Sequence, residues 1–204
     1  MPKLDLGPAT REISRLLDGV RDAQLGDPTP CDDYCVAALL DHIAGLSLGF
    51  TWGARKTTPP ARPAQRERQG QAGPPQASAD NLDPEWRTVI PERLAGLAEA
   101  WREPAAWEGM TEVAGVRMPG ETTATVALDE VVLHGWDLAR ATGQEFRCDP
   151  ASAQAVLAFT EAAAQPEAAG LRDNLFGPIV EVAGDTSVLD RALGLAGRDP
   201  AWRR

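Results

Sequence analysis

Cysteine and histidine are both scarce in this sequence. The 204 residues include three cysteines, Cys31, Cys35 and Cys148, and two histidines. An odd and small number of cysteines in a chain of this length does not make a disulfide framework. Cys31 and Cys35 lack the two-residue spacing of a zinc knuckle, and no second cysteine pair completes such a site. These counts exclude a disulfide scaffold and a cysteine-only zinc site.

Basic residues are also in deficit, with 20 Lys and Arg against 30 Asp and Glu, for a formal net charge of −10. An acidic surface repels phosphate backbones and anionic lipid headgroups, so we expect neither nucleic acid nor membrane as a partner. We find no continuous apolar run of the length that spans a bilayer. The N-terminus lacks the basic-then-apolar profile of a signal peptide, so we expect a cytoplasmic protein.

Apolar residues recur at helical spacing along most of the chain and predict a mainly α-helical single domain over residues 1–204. The predicted helices span 9–25, 36–52, 83–101, 123–142, 151–164 and a last stretch that ends near 195. Short β or turn structure is predicted for 107–118, where three glycines flank the apolar residues. Residues 176–182 are predicted to be extended.

Capping residues mark several of these helix ends. Asp83 is the predicted cap of the third helix, and Pro91 is where that helix is expected to kink or divide. Thr122 is the predicted cap of the fourth helix, and Gly143 its C-terminal stop. Asp185 or Thr186 is expected to cap the last helix.

Large apolar side chains are missing from residues 53–81, where Pro, Gln, Arg and Gly dominate. Such a stretch buries too little apolar area to offset the entropy of ordering it. We therefore predict a mobile loop at about 53–82. It is either a tolerated surface insertion or a lid over a site.

Ionisable residues form a stripe on the fourth helix. Glu130 and His134 are four residues apart and share one face with Asp137, among apolar neighbours. Burying charge without a partner is costly, and a divalent cation bound by a carboxylate and an imidazole would offset that cost. His42, at the edge of the apolar stripe of the second helix, is the remaining histidine and the candidate third ligand. Asp137 either orients a ligand from behind or caps local structure.

A plainer interpretation stays open on spacing alone. A Glu–His pair four residues apart is often a helix-surface contact, and a histidine beside an apolar stripe is usually a satisfied core residue. Spacing does not establish that His42 meets the fourth helix. If it does, three ligands leave an open position for water or substrate, as in catalytic zinc sites. Nickel, iron and manganese suit the same ligands.

Four segments resemble the signatures of a known family. They are 29–42 (TPCDDYCVAALLDH), 133–143 (LHGWDLARATG), 176–178 (FGP) and 197–200 (GRDP). The resemblance is to an actinobacterial metal-binding family related to the N-terminal domain of mycothiol-dependent maleylpyruvate isomerase and, more remotely, to DinB-like proteins. It implies a DinB-like four-helix bundle, here with a small hairpin or extended insertion and extra C-terminal helices. It also implies His42, Glu130 and His134 as metal ligands, and a monomer or homodimer.

The sequence departs from the family pattern at two positions of the first signature. Tyr34 stands where Trp is usual, and Cys35 stands where Ser or Thr commonly caps the helix. The residues after Gly143 are unlike the C-terminal domain of the isomerase, so substrate-binding residues of that domain are not carried over.

Three functions follow as hypotheses. The first is a metal-dependent thiol transferase or isomerase-like enzyme that activates a small thiol such as mycothiol to attack an electrophile, with no general base that we can name. Cys31 is its candidate auxiliary residue, because a helix N-terminus lowers a thiol pKa; the alternative is a small buried residue. The second is a non-catalytic metal- or ligand-binding regulatory module. The third is a metal that only stabilises the bundle.

Overall fold

Four helices form the bundle that the family resemblance implies. The computed structural model describes residues 4–57 and 76–204. The bundle helices are α1 (Gly7–Leu17), α2 (Val36–Arg55), α3 (Trp86–Ala100) and α4 (Gly120–Thr142). Helices α1 and α2 each pack against both α3 and α4. The mainly helical fold class is therefore confirmed, and a single domain over 1–204 stays a prediction.

Large aliphatic side chains fill the space between the four helices. Ile13, Leu39, Ile90 and Leu94 are completely buried, one or two from each of the first three helices, and Leu128 of α4 is 1% exposed. Burying one such side chain contributes about 1.5–3 kcal/mol to folding. These contacts fix α2 against α4, which is the pairing that the predicted site needs.

Helix α2 is the most apolar element of the fold. It has the length and composition to cross a membrane, with a mean hydropathy of 1.2 over an 18-residue window, although the sequence analysis found no such segment. In the structure 61% of that window is buried inside the protein. Burial against α3 and α4 accounts for its hydropathy as that of a core helix.

Several predicted helix ends are wrong by a few residues. The first helix ends at Leu17 instead of 25, where the amide of Gln144 donates to the Leu16 carbonyl at 2.9 Å, and Asp22–Gln24 forms a separate 3₁₀ turn. Asp83 accepts from the Glu85 N–H at 2.8 Å in the turn before α3 and does not cap it. Helix α3 runs through Pro91 undivided.

The N-terminus of α4 also differs from the prediction. The helix begins at Gly120, so Thr122 lies inside it. The first turn of α4 follows directly on a hairpin that ends at Pro119, so the helix starts before the position expected from a cap at Thr122. Gly143 ends the helix with a φ of 72°, as predicted. That left-handed conformation favours glycine.

A β-hairpin leads into α4 and confirms the predicted short β structure. Strands β1 (Met110–Val113) and β2 (Val116–Pro119) pair antiparallel. Ala114 and Gly115 form the turn with φ values of 53° and 84°, and two positive φ angles match the twist of a hairpin.

Three shorter helices follow α4. They are α5 (Pro150–Ala163), α6 (Ala169–Leu175) and α7 (Val188–Leu195). Helix α6 was not predicted. Residues 176–182 contain no strand; there the Val180 N–H donates to the Gly194 carbonyl at 2.9 Å. Ser187 caps α7 by accepting from the Asp190 N–H, in place of Asp185 or Thr186.

The end of the chain returns to the bundle. The Arg140 side chain of α4 donates to the carbonyls of Pro200 and Trp202 at 3.2 and 2.8 Å. The C-terminal segment is thereby held against α4, close to the face that carries the ionisable stripe.

The predicted loop at about 53–82 falls largely outside the described residues. Its start is helical to Arg55, and near its end Ala79–Asn81 forms a 3₁₀ turn. The Ser78 N–H donates to the Asp41 carboxylate at 3.1 Å, which attaches that end to α2. The choice between surface insertion and lid stays a prediction.

Candidate metal centre

The packing of α2 against α4 brings together the three residues that the sequence analysis selected as ligands. His42 Nε2 lies 3.3 Å from Glu130 Oε2, and His134 Nε2 lies 3.2 Å from the same oxygen. The imidazole rings are 4.6 Å apart between centroids and nearly perpendicular, at 84°. Two nitrogens from different helices therefore converge on one carboxylate oxygen.

One side of this cluster is open to solvent. The side chains of His42 and Glu130 are 26% and 23% exposed, whereas that of His134 is 9% exposed. The cluster is therefore partly exposed at His42 and Glu130, whereas His134 is almost completely enclosed by protein.

Asp137 lies behind His134, one turn along α4. His134 Nδ1 is 3.0 Å from Asp137 Oδ2, and Asp137 is completely buried. Because a carboxylate only accepts, Nδ1 carries a hydrogen and donates it to Asp137, which leaves Nε2 as the ring nitrogen that faces the cluster. Of the two predicted roles for Asp137, the contact fits orientation of His134 rather than a helix cap.

Arg198 completes this chain of contacts, and the sequence analysis assigned it no role. Its Nε and Nη2 atoms each lie 3.1 Å from an Asp137 oxygen, and the residue is only 9% exposed. Burial acts to lower the pKa of Arg198, but the charge and hydrogen bonds of Asp137, with smaller contributions from Cys31 and Glu130, together raise it, so the guanidinium stays charged. Arg198 belongs to the motif at 197–200, but nothing in the sequence of that motif indicated that its partner would be Asp137, 61 residues earlier.

Burial and hydrogen bonding oppose each other at the cluster itself. Burial acts to raise the pKa of Glu130, but hydrogen bonds from His134 and His42 outweigh it and hold that pKa far below its usual range. Burial acts to lower the pKa of His134, but its bonds to Asp137 and Glu130 raise the pKa to about 9. The cluster therefore favours positive charge beside Glu130, supplied by a proton or by a cation.

Cys31 lies close to the cluster but does not have the predicted reactivity. Its sulfur and ligand atoms of His134 and Asp137 all lie within 4.8 Å of one another. The expected lowering of its pKa is wrong, because burial raises the pKa of the thiol to about 11. Helix α2 begins at Val36, five residues later, so its dipole is too distant to compensate. Cys31 is a buried, protonated thiol, as the alternative interpretation held.

The spacing of the donor atoms fits a tetrahedral ion. Zinc bonded at about 2.0–2.1 Å to each ligand sets the ligand atoms about 3.3 Å apart. The two nitrogen–oxygen separations are 3.3 and 3.2 Å. The three ligand atoms all lie within 4.8 Å of one another, so His42, Glu130 and His134 could together hold such an ion.

Comparison with known proteins identifies the relatives of this chain. Residues 6–139 match the family described as mycothiol maleylpyruvate isomerase N-terminal domain, a range that contains the three predicted ligands and Asp137 but not Arg198. Uncharacterized proteins of Mycobacterium tuberculosis, from strains CDC 1551 / Oshkosh and ATCC 25618 / H37Rv, are each 31% identical over 159 residues. That alignment covers 78% of this chain and 76% of each relative.

Solved structures of the mycothiol-dependent maleylpyruvate isomerase share the fold. The isomerase and a histidine-to-alanine mutant of it are 22% and 21% identical to this chain, with TM-scores of 0.53 and 0.55. Each match covers 76% of this chain and 66% of the solved one, so this chain spans just under two thirds of the isomerase. The helical bundle, the family match and the mycobacterial relatives agree: the chain belongs to the mycothiol maleylpyruvate isomerase N-terminal domain family.

Proposed function

We propose that this protein binds one divalent metal ion, with zinc as the first choice and nickel, iron or manganese as alternatives. His42 and His134 would supply Nε2, and Glu130 a carboxylate oxygen. The supporting observation is the approach of both nitrogens to one Glu130 oxygen at 3.3 and 3.2 Å. Two imidazoles and a carboxylate are a frequent ligand set of catalytic zinc.

We further propose that the site serves thiol-dependent, isomerase-like or S-transfer chemistry, with mycothiol as cosubstrate. A bound zinc ion would lower the pKa of a coordinated thiol so that it is held as the nucleophilic thiolate. The relationship to the N-terminal domain of a mycothiol-dependent isomerase supports this chemistry. The partial exposure of His42 and Glu130 supports access for a thiol and a small electrophile.

In this proposal the surrounding side chains orient the metal ligands and balance buried charge. Asp137 holds the hydrogen on His134 Nδ1 and keeps Nε2 free to bind, and Arg198 balances the Asp137 charge. Glu130 lies between both imidazoles and Asp137 is paired with Arg198, so neither carboxylate is a free general base. The substrate thiol would therefore lose its proton to solvent through the open side.

The alternative is a non-catalytic metal- or ligand-binding regulatory module. Cys31 favours it, because this thiol beside the cluster is buried and its raised pKa keeps it protonated, so Cys31 itself is a poor nucleophile. In either case we propose a cytoplasmic monomer or homodimer with small-molecule partners, not nucleic acid or membrane.

A thiol-transfer assay separates the two functions. Zinc-loaded protein is incubated with mycothiol and either monochlorobimane or maleylpyruvate, and product formation is followed. The enzyme proposal expects a rate that requires metal, is lost in Glu130→Gln and is kept in Glu161→Gln, a surface control on α5. An equal rate in wild type and Glu130→Gln would contradict metal-assisted catalysis. Stoichiometric metal without any rate would favour the regulatory module.

A further inference from the structure

The turn that precedes α2 is held by one buried hydroxyl. Thr29, 4% exposed, accepts from the Cys31 N–H at 3.1 Å, and its Oγ1 lies 2.8 Å from the Tyr34 carbonyl. Pro28 and Cys35 form an antiparallel bridge at the base of the turn. Of the residues in the first signature, 29–42, only His42 is a proposed metal ligand, and the turn that precedes α2 supplies none.

The turn places Tyr34 directly on His42. The two rings are stacked, with 4.9 Å between centroids and an angle of 27° between planes. The Tyr34 hydroxyl lies 3.4 Å from His42 Nδ1, on the opposite side of the ring from the Glu130 contact. Tyr34 therefore restricts both the plane of the imidazole and its rotation.

The outer nitrogen of each imidazole has a side-chain partner. His134 has its outer nitrogen on Asp137, and His42 has its outer nitrogen on Tyr34. In both cases Nε2 is left facing the same Glu130 oxygen. Such outer contacts fix the tautomer and orientation of metal-binding histidines.

We propose that Tyr34 is the positioning residue of His42, accepting a hydrogen bond from Nδ1–H and stacking on the ring so that Nε2 is directed to the metal. The inference rests on the proposed metal site and adds to it a residue that differs from the related signature, where Trp is usual. An indole N–H donates but cannot accept. Tryptophan at this position would keep the stacking and lose the acceptor.

Metal affinity in Tyr34→Phe and Tyr34→Trp tests the proposal, with zinc binding measured by competition with a chromophoric chelator. Loss of such an outer contact weakens metal binding by 10- to 100-fold, and for a long hydrogen bond we expect about tenfold in both variants. Phe159→Leu, which alters the distant Phe159–Phe176 pair, should bind zinc as the wild type does. If either Tyr34→Phe or Tyr34→Trp bound zinc with wild-type affinity, the role of the Tyr34 hydroxyl as hydrogen-bond acceptor for His42 would be overturned.

A second readout separates this inference from the metal site itself. In metal-free protein, ¹⁵N NMR of the two histidines reports the hydrogen bonding of each ring nitrogen. Tyr34→Phe should shift the His42 Nδ1 resonance and leave that of His134 Nδ1 in place. If wild-type protein takes up no metal, the proposed function fails while this shift still tests the Tyr34 contact. An unmoved His42 Nδ1 resonance would overturn the positioning role.

Discussion

Replacing Arg198 with methionine should destabilise the metal-free protein strongly. Arg198 gives Asp137 its charged partner through three short contacts at 3.1, 3.3 and 3.1 Å. The side chains are 10% and 0% exposed. Methionine keeps most of the volume but removes the guanidinium and leaves the buried Asp137 carboxylate with His134 Nδ1 as its remaining contact. Breaking a buried pair from one side costs about 3–5 kcal/mol, a large part of the 5–15 kcal/mol that typically stabilises a protein.

The free energy of unfolding is measured by urea denaturation in the presence of a chelator, followed by tryptophan fluorescence. Arg191→Met is the matched control, because Arg191 and Glu161 form an ion pair at 2.8 Å that is 46% and 47% exposed. An exposed pair contributes about 0–1 kcal/mol. The double variant Asp137→Asn/Arg198→Met should regain part of the loss, because it removes the unpaired charge.

Equal losses in Arg198→Met and Arg191→Met would refute this reasoning. They would show that Asp137 is not desolvated, or that another group replaces the guanidinium. A double variant less stable than Arg198→Met alone would show that the pair acts through packing and not through charge.

Two further predictions concern pH and glycine. The pKa of His134 is raised to about 9 in the folded metal-free protein, from 6.5 for a free imidazole. The charged His134 side chain therefore stabilises the fold fully below pH 6.5, and this contribution is lost as the pH rises through 9. The loss of stability is about 3 kcal/mol at most. In the presence of a chelator the melting temperature of the wild type should fall over this pH range, and that of His134→Gln should not. A wild-type melting temperature that does not change with pH would contradict the raised pKa. In Gly96→Ala, in α3, the new Cβ would meet no atom within 4 Å, so this variant should stabilise the protein by up to about 1 kcal/mol. In Gly120→Ala the new Cβ would lie 2.4 Å from the Ala106 carbonyl oxygen, so this variant should lose stability; equal melting temperatures for the two would refute that close contact.

The elements predicted well are those whose signal is local. Helices α2 and α4 carry long apolar stripes, and Gly143 provides the left-handed residue that ends α4. The three candidate ligands lie on these two helices, so a correct pairing of α2 with α4 brought them together. That pairing was suggested by the family resemblance and not by spacing.

The features that were missed depend on distant contacts. Arg198 reaches Asp137 across 61 residues, and no periodicity connects them. At the early end of helix α1, Gln144, far along the chain, donates to the carbonyl of Leu16. The pKa of Cys31 follows from burial in the folded protein, which its position before α2 did not reveal.

Metal content tests the central claim most directly. Purified protein is saturated with zinc, desalted and measured by elemental mass spectrometry, with Glu130→Gln and His134→Ala as site variants and Glu161→Gln as the surface control. The convergence of His42 Nε2 and His134 Nε2 on Glu130 predicts one equivalent of zinc in the wild type and the control, and little in either site variant. Zinc-free wild type, or as much zinc in Glu130→Gln and His134→Ala as in the wild type, would contradict it.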